Sequence, residues 1–219
     1  MFERPLTRRA WLGGAAVTAL GFAGLKPGPS SAASVSCILT PEQTEGPYYI
    51  AGEKLRRNIT EGRAGTPLLL HAFVVDATTC RPIRNAAVDI WHADAEGDYS
   101  GFGAGASNRT FMRGIQRTNA KGLALFRTVY PGWYQGRTVH IHVKVHVGGS
   151  VVHTGQLYFP DSLTDAVYRR TPYSTRPNRD TRNASDSIYR NGGSKSLLSV
   201  KKNSAGVYVA SIVMGVQRS

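Results

Sequence analysis

A chain of 219 residues, 41% hydrophobic and carrying 24 glycines, is long enough for one globular domain with a buried core, and its composition excludes a wholly disordered protein. Its formal net charge of +13 suits acidic small molecules or anionic surfaces. No recognition helix, zinc finger or interleaving of basic and aromatic residues accompanies that charge, so no nucleic-acid partner is expected.

Thr7-Arg8-Arg9-Ala10-Trp11-Leu12 precedes an apolar run to Leu25, then Lys26-Pro27-Gly28-Pro29 and small residues around Ser31-Ala32-Ala33. This pattern predicts a twin-arginine signal peptide over residues 1–33, with export to the periplasm or the extracellular space. The apolar run falls short of the roughly 20 residues of a spanning helix, so no stable membrane anchor is expected. Removing residues 1–33 leaves 23 basic and 13 acidic residues, a charge of +10. A lipidated Cys37 is disfavoured, because Ser34 stands where a lipobox carries a larger aliphatic residue.

Residues 34–66 read as an N-terminal arm, and residues 67–219 as the folded domain. Cys37 and Cys80 would face an oxidising compartment, which predicts a disulfide tying the arm to the loop after the first core strand. Short apolar runs follow over 67–76, 87–92, 122–128, 138–147, 151–159 and 206–217, separated by turn residues such as Asn119-Ala-Lys-Gly122 and Gly148-Gly-Ser150. Convincing helical periodicity is nearly absent. The fold class expected is all-β, an antiparallel β-sandwich with long wrapping loops. Residues 161–203 are polar and rich in Arg, Asn and Ser, and the arginine-rich part from Arg169 to Arg190 reads as a solvated loop region.

The most informative stretch is Arg137-Thr-Val-His140-Ile-His142-Val-Lys-Val145. Side chains two apart on a strand share a face, so His140 and His142 can reach one point, while Val139, Ile141, Val143, Val145 and Val147 face a core. That arrangement is a rigid platform for a metal. Tyr134 ends the turn Pro131-Gly-Trp-Tyr134 just upstream, and Tyr99 ends Ile90-Trp-His-Ala-Asp-Ala-Glu-Gly-Asp-Tyr99. His146 lies four residues beyond His142, roughly 13 Å along an extended strand, which argues against a three-histidine zinc site. His71, His92 and His153 show no pairing pattern and read as structural.

With the arm block Thr40-Pro-Glu-Gln-Thr-Glu-Gly-Pro-Tyr-Tyr49, these segments resemble the intradiol ring-cleavage dioxygenases, the family of the protocatechuate and catechol dioxygenases. The resemblance runs from about Thr40 through Gln156-Leu-Tyr-Phe159. It implies a non-haem Fe(III) centre held by Tyr99, Tyr134, His140 and His142, with a solvent hydroxide. It also implies a catechol-type substrate and O₂ as partners, and ring opening between the hydroxylated carbons to a cis,cis-muconate-type diacid. Tyr134 would be the displaceable ligand, Arg137 would stabilise charge developing on the ring, and Gln156 would lie beside the substrate. Ferric iron is a hard cation that favours anionic oxygen donors, so phenolate ligands suit it.

Residues 34–219 leave no room for the helical N-terminal domain of typical catechol dioxygenases, so the expected architecture is nearer a protocatechuate dioxygenase subunit. A carbohydrate- or surface-binding β-sandwich without catalysis is the competing reading, since it accounts for the strands but not for four convergent ligands. A zinc hydrolase lacks a general base at recognisable spacing.

Overall fold

The computed structural model describes residues 37–103 and 106–217, and the expected signal peptide lies outside them. Eight strands form two four-stranded sheets: β1 (Pro67–Asp76), β2 (Ala87–Trp91), β3 (Arg113–Arg117), β4 (Leu123–Val129), β5 (His140–Val147), β6 (Ser150–Tyr158), β7 (Ser199–Lys202) and β8 (Tyr208–Val216). Their orders are β4-β1-β8-β7 and β3-β2-β5-β6. The expected β-sandwich is present, with one departure from all-antiparallel pairing: β1 and β8 run parallel, from Leu68 opposite Tyr208 to Asp76 opposite Val216. Parallel neighbours need a long crossover, and here almost the whole domain intervenes between them.

Period-two alternation builds the core. Leu68, Leu70, Ala72 and Val74 of β1, with Ala210, Ile212 and Met214 of β8, meet Val88, Ile90, Ile141, Val143, Val145 and Leu157 from the other sheet. The opposite face of β5 departs from the usual solvated outer face of a sandwich. His140, His142 and Lys144 are all buried there, so the strand is covered on both sides from His140 to Val145.

The cover is the N-terminal arm. Its Gln43 amide donates to the Thr154 carbonyl at 2.9 Å, the Gln156 amide group donates to the Thr44 carbonyl at 3.0 Å, and Glu45 pairs with Lys144. Farther along, the arm is stitched to the sandwich where the Ile59 amide donates to the Arg127 carbonyl at 3.0 Å. Its leading end is held by the Cys37–Cys80 disulfide.

The polar segment after β6 is more ordered than a solvated loop. It carries helices α1 (Asp161–Val167) and α2 (Ser187–Arg190), three short 3₁₀ turns and β7. Its arginines are partly structural: Arg179, with a 3% exposed side chain, pairs with Asp161 at 2.7 Å and Asp165 at 2.9 Å. Arg176 stacks on the Trp133 ring at 4.4 Å, and the Trp133 indole donates to the Arg176 carbonyl at 2.8 Å. Composition marked these residues as soluble charge; the acids that bury Arg179 lie 14 and 18 positions away.

The disulfide closes a loop with a sequence separation of 43, for which chain entropy gives about 4 kcal/mol of stabilisation. Cys37→Ser with Cys80→Ser should therefore lower the unfolding free energy by about that amount in denaturant titrations. An unchanged denaturation midpoint would show that the bond constrains nothing.

Candidate active site

Each of the four ring side chains singled out in the sequence arrives on a separately supported backbone. His140 and His142 project from the arm-covered face of β5. The Nδ1–H of His140 donates to the Thr138 carbonyl at 2.6 Å, which leaves Nε2 with its lone pair turned toward His142. The two Nε2 atoms are 3.0 Å apart, and the Tyr134 hydroxyl lies 3.2 Å from His140 Nε2. The Trp91 ring stacks on the His142 imidazole with centroids 4.9 Å apart and planes 5° off parallel, fixing its orientation.

Tyr99 is placed by a loop that Asp94 organises. One Asp94 oxygen accepts from the Glu96 and Asp98 amides, each at 3.0 Å, and the other accepts from Arg63 Nε at 2.7 Å. The turn that carries Tyr134 packs directly on this loop. The Gly132 amide donates to the Asp94 carbonyl at 2.8 Å, and a Cβ at position 132 would stand 2.5 Å from the Ala95 carbonyl oxygen. That contact brings the two phenols together, with ring centroids 5.6 Å apart. The Tyr99 ring centroid is 6.1 Å from that of His142, and Tyr134 is 5.7 Å from His140. All four predicted rings therefore surround one small volume.

The arm closes this volume from above. Gly46 crosses His142 so tightly that a Cβ there would lie 3.1 Å from His142 Cε1. Tyr48 stacks on Tyr99 at 4.3 Å and meets Tyr134 edge-on at 6.0 Å. Its backbone is held by Arg113, whose guanidinium donates to the Tyr48 carbonyl at 2.7 Å and to the Ser100 carbonyl at 2.7 Å. Arg113, 1% exposed, thereby ties the arm to the Tyr99 loop. Nothing in Phe111-Met-Arg-Gly-Ile-Gln-Arg117 marked it, because β3 lacks the alternation that identifies a strand.

Arg137 and Gln156 also come together. Arg137 Nη2 donates to Gln156 Oε1 at 2.5 Å, and Arg137 Nε donates to Asp186 Oδ2 at 2.9 Å. Asp186 was not visible as a site residue in the sequence. It caps α2 by accepting from the Ile188 and Tyr189 amides, and it accepts from the Thr138 amide at the start of the histidine strand. Burial alone would raise its carboxyl, but those amides and the Arg137 charge outweigh burial and hold it below the usual range.

Burial also sets the charge of the rings. It drives the His140 imidazole down to about 3, helped by the charge of Arg137, and holds His142 well below its ordinary value with help from His140 and Arg137. Both rings are neutral near pH 7, the form in which a nitrogen can bind a metal. Burial pushes the Tyr99 phenol well up, reinforced by neighbouring Tyr134, and raises Tyr134 against the pull of Arg137. His142 Nδ1 is buried without a hydrogen-bond partner, and the Tyr99 hydroxyl has only the Tyr134 hydroxyl to turn to. Whichever His142 nitrogen carries the proton, the four rings cannot satisfy one another, and a small cation bound by phenolate oxygen and imidazole nitrogen would resolve the mismatch. The donor set fits ferric iron.

The other histidines are elsewhere. His92 is a satisfied core residue, with its nitrogens 2.7 Å from the Ala93 carbonyl and 2.8 Å from Thr128 Oγ1. His153 meets Glu42 of the arm at 2.9 Å. His146 follows an irregularity in the β5–β6 register and is partly exposed. Asp94, Glu96 and Asp98 bring carboxylates within 4.8 Å of one another, but Asp94 is already occupied by loop amides and Arg63, and the other two are exposed.

A family model described as Dioxygenase matches residues 44–177. Catechol 1,2-dioxygenase 1 of Acinetobacter lwoffii is 34% identical over 101 residues, which are 43% of this chain and 32% of that protein. A chlorocatechol 1,2-dioxygenase of Cupriavidus pinatubonensis is 29% identical over 146 residues, 55% of this chain and 56% of that protein. The chain thus spans from about a third to just over half the length of these curated relatives. Among solved structures, an intradiol ring-cleavage dioxygenase from Tetranychus urticae superposes with a TM-score of 0.79 at 35% identity, covering 83% of this chain and 95% of that one. The dioxygenase domain of a dioxygenase carbohydrate-binding protein fusion from Streptomyces sp. SirexAA-E gives 0.65 at 30% identity, covering 83% of this chain and all of that one.

One buried group near the site makes the protein's stability depend on pH. Asp89, opposite Lys144 in register, is 1% exposed, and burial followed by the charge of Glu53 pushes it up to about 7 against the pull of a Tyr49 hydrogen bond and the Lys144 charge. Unfolded, the same carboxyl titrates near 4. Between these values the folded chain holds the extra proton, so the Asp89 contribution to stability falls as pH rises from about 4 to about 7 and is flat above. Asp89→Asn should gain stability relative to the wild type across that window, by up to about 4 kcal/mol. Parallel stability curves for the two proteins between pH 4 and 8 would refute this assignment.

Proposed function

The chain belongs to the intradiol ring-cleavage dioxygenase family, and from that premise we propose that it opens the ring of a catechol-type substrate with O₂ to give a cis,cis-muconate-type diacid. The observation that supports this most is the convergence of two phenols and two neutral imidazoles on one buried point. Tyr99, Tyr134, His140 and His142 would hold Fe(III). Ferric iron, when bound, supplies the electron-withdrawing centre that makes a chelated diol reactive toward O₂.

The chain's own residues supply the rest. Tyr99 is 5% exposed and boxed by Tyr48 and Trp91, so it is the fixed phenolate. Tyr134 is only partly buried, so with iron bound it would be the more mobile phenol oxygen, the one placed to accept a proton from an incoming diol hydroxyl. Arg137, aimed by Asp186 and Gln156, places a positive charge beside the ring-binding volume. The arm covers the rings from above through Gly46 and Tyr48.

The Cys37–Cys80 disulfide supports export to an oxidising compartment, the destination expected of the twin-arginine segment. A carbohydrate-binding module without catalysis would have no use for two phenols and two neutral imidazoles gathered on one buried point.

Purified protein should contain close to one iron per chain, show a visible phenolate-to-iron charge-transfer band, and consume one O₂ per catechol opened. A colourless protein that refuses ferric iron and takes up no O₂ with catechol, hydroxyquinol or protocatechuate would end the reading. His142→Ala should lose most of the iron. Tyr134→Phe should keep it but slow substrate binding in stopped-flow spectra. Arg137→Gln should lower kcat roughly 10²-fold with iron content unchanged.

A further inference from the structure

The outer face of the β4-β1-β8-β7 sheet lies across the sandwich from the arm-covered site, and it holds a cavity of about 530 Å³ lined by Arg57, Arg127, Pro67, Leu69 and Val207 among others. Both arginines line it where the arm runs beside β4: the Arg127 amide donates to the Arg57 carbonyl at 2.8 Å, and Asn58 is the residue paired with Arg127. Both side chains are exposed, and no carboxylate lines the cavity. Among the described residues neither guanidinium takes part in an ion pair. Other arginines are treated differently. Arg56 pairs with Glu61 at 2.6 Å and caps the Arg113 carbonyl, and Arg179 and Arg182 share Asp165. His71 projects on the same face two residues from Leu69, close enough that the Arg57 charge, after burial, depresses its pKa.

Two guanidinium charges lining one cleft without an acid leave it positive, and a bound anion would offset that charge. The rest of the lining restricts which anion fits. Inorganic phosphate would satisfy the guanidinium groups but leave Pro67, Leu69 and Val207 wet, whereas a neutral ring would cover the apolar residues and leave the charges alone. A planar aromatic carboxylate satisfies both, through a guanidinium–carboxylate pair and ring contact with the apolar side chains.

We infer that this cleft binds the carboxylate of an aromatic acid, free or displayed on a carboxylated phenolic polymer, on the side of the sandwich away from the four-ring site. The inference does not rest on the proposed reaction, because no residue of the four-ring site takes part.

The probe is 3,4-dimethoxybenzoate, whose methylated oxygens prevent it from acting as a diol at the four-ring site. Calorimetric titration of the full protein should show binding that weakens with salt. In the Arg57→Gln/Arg127→Gln double variant it should be at least tenfold weaker, with catechol turnover unchanged. The neutral 3,4-dimethoxybenzamide should also bind at least tenfold more weakly than the acid. A parallel arm measures retention on a carboxylated lignin-type polymer. Retention lost in the double variant assigns the polymer as the source, and binding of the monomer without retention assigns the free acid. Equal binding by the double variant, equal binding of the amide, or no binding of either acid or polymer at millimolar concentration would overturn the inference. Circular dichroism of the double variant separates any loss of binding from loss of fold.

Discussion

Burial of the polar face of β5 is the constraint on which the site depends. A strand whose alternate residues are His140, His142 and Lys144 would normally turn that face to water, and taking it out of water obliges every polar atom to find a partner. The arm meets part of that demand: Glu45 answers Lys144, and the Thr44 carbonyl answers Gln156, the register partner of His142. At His142 Nδ1 the demand is unmet by protein, and at the Tyr99 hydroxyl only Tyr134 answers it. Structural and chemical requirements thus divide the same face between them. Where the arm supplies partners the groups are fixed, and where it does not they are available.

The second organising element is Asp186. One carboxylate joins α2, the amide that starts the histidine strand and the guanidinium that faces the rings. Displacement of the post-β6 segment would therefore turn Arg137 and disturb Thr138, whose carbonyl orients His140. The polar excursion between β6 and β7 behaves as part of the site's scaffold for that reason.

Much of this was legible in the sequence, and what was missed follows a physical pattern. Six strands stood out because their apolar residues alternate or run together, as in Leu68-Leu-Leu-His-Ala-Phe-Val-Val75. β3 and β7 did not, because Arg113-Gly-Ile-Gln-Arg117 and Ser199-Val-Lys-Lys202 pair with neighbours without burying an apolar row of their own. The four site rings were marked by motif and spacing. Arg113, Asp186 and Asp89 escaped notice because their roles come from partners tens of residues away, which no local window contains. The parallel placement of β8 beside β1 was hidden for a related reason: local pattern identifies a strand but is silent about which neighbour it joins or in which direction.

The arm has a further mechanical consequence. It is fastened at its leading end by a covalent bond at Cys37 and at its trailing end by the Ile59 and Asn58 contacts to β4, and the Gly46–Tyr48 crossing between them is pinned again through Glu45 and the Tyr48 carbonyl. A strip tied at both ends cannot swing clear as a hinged flap would. It can only bow, so a flat ring would reach the four-ring chamber by slipping past Tyr48 and Tyr134 edge-first, and the chamber's selectivity would be set by thickness more than by area.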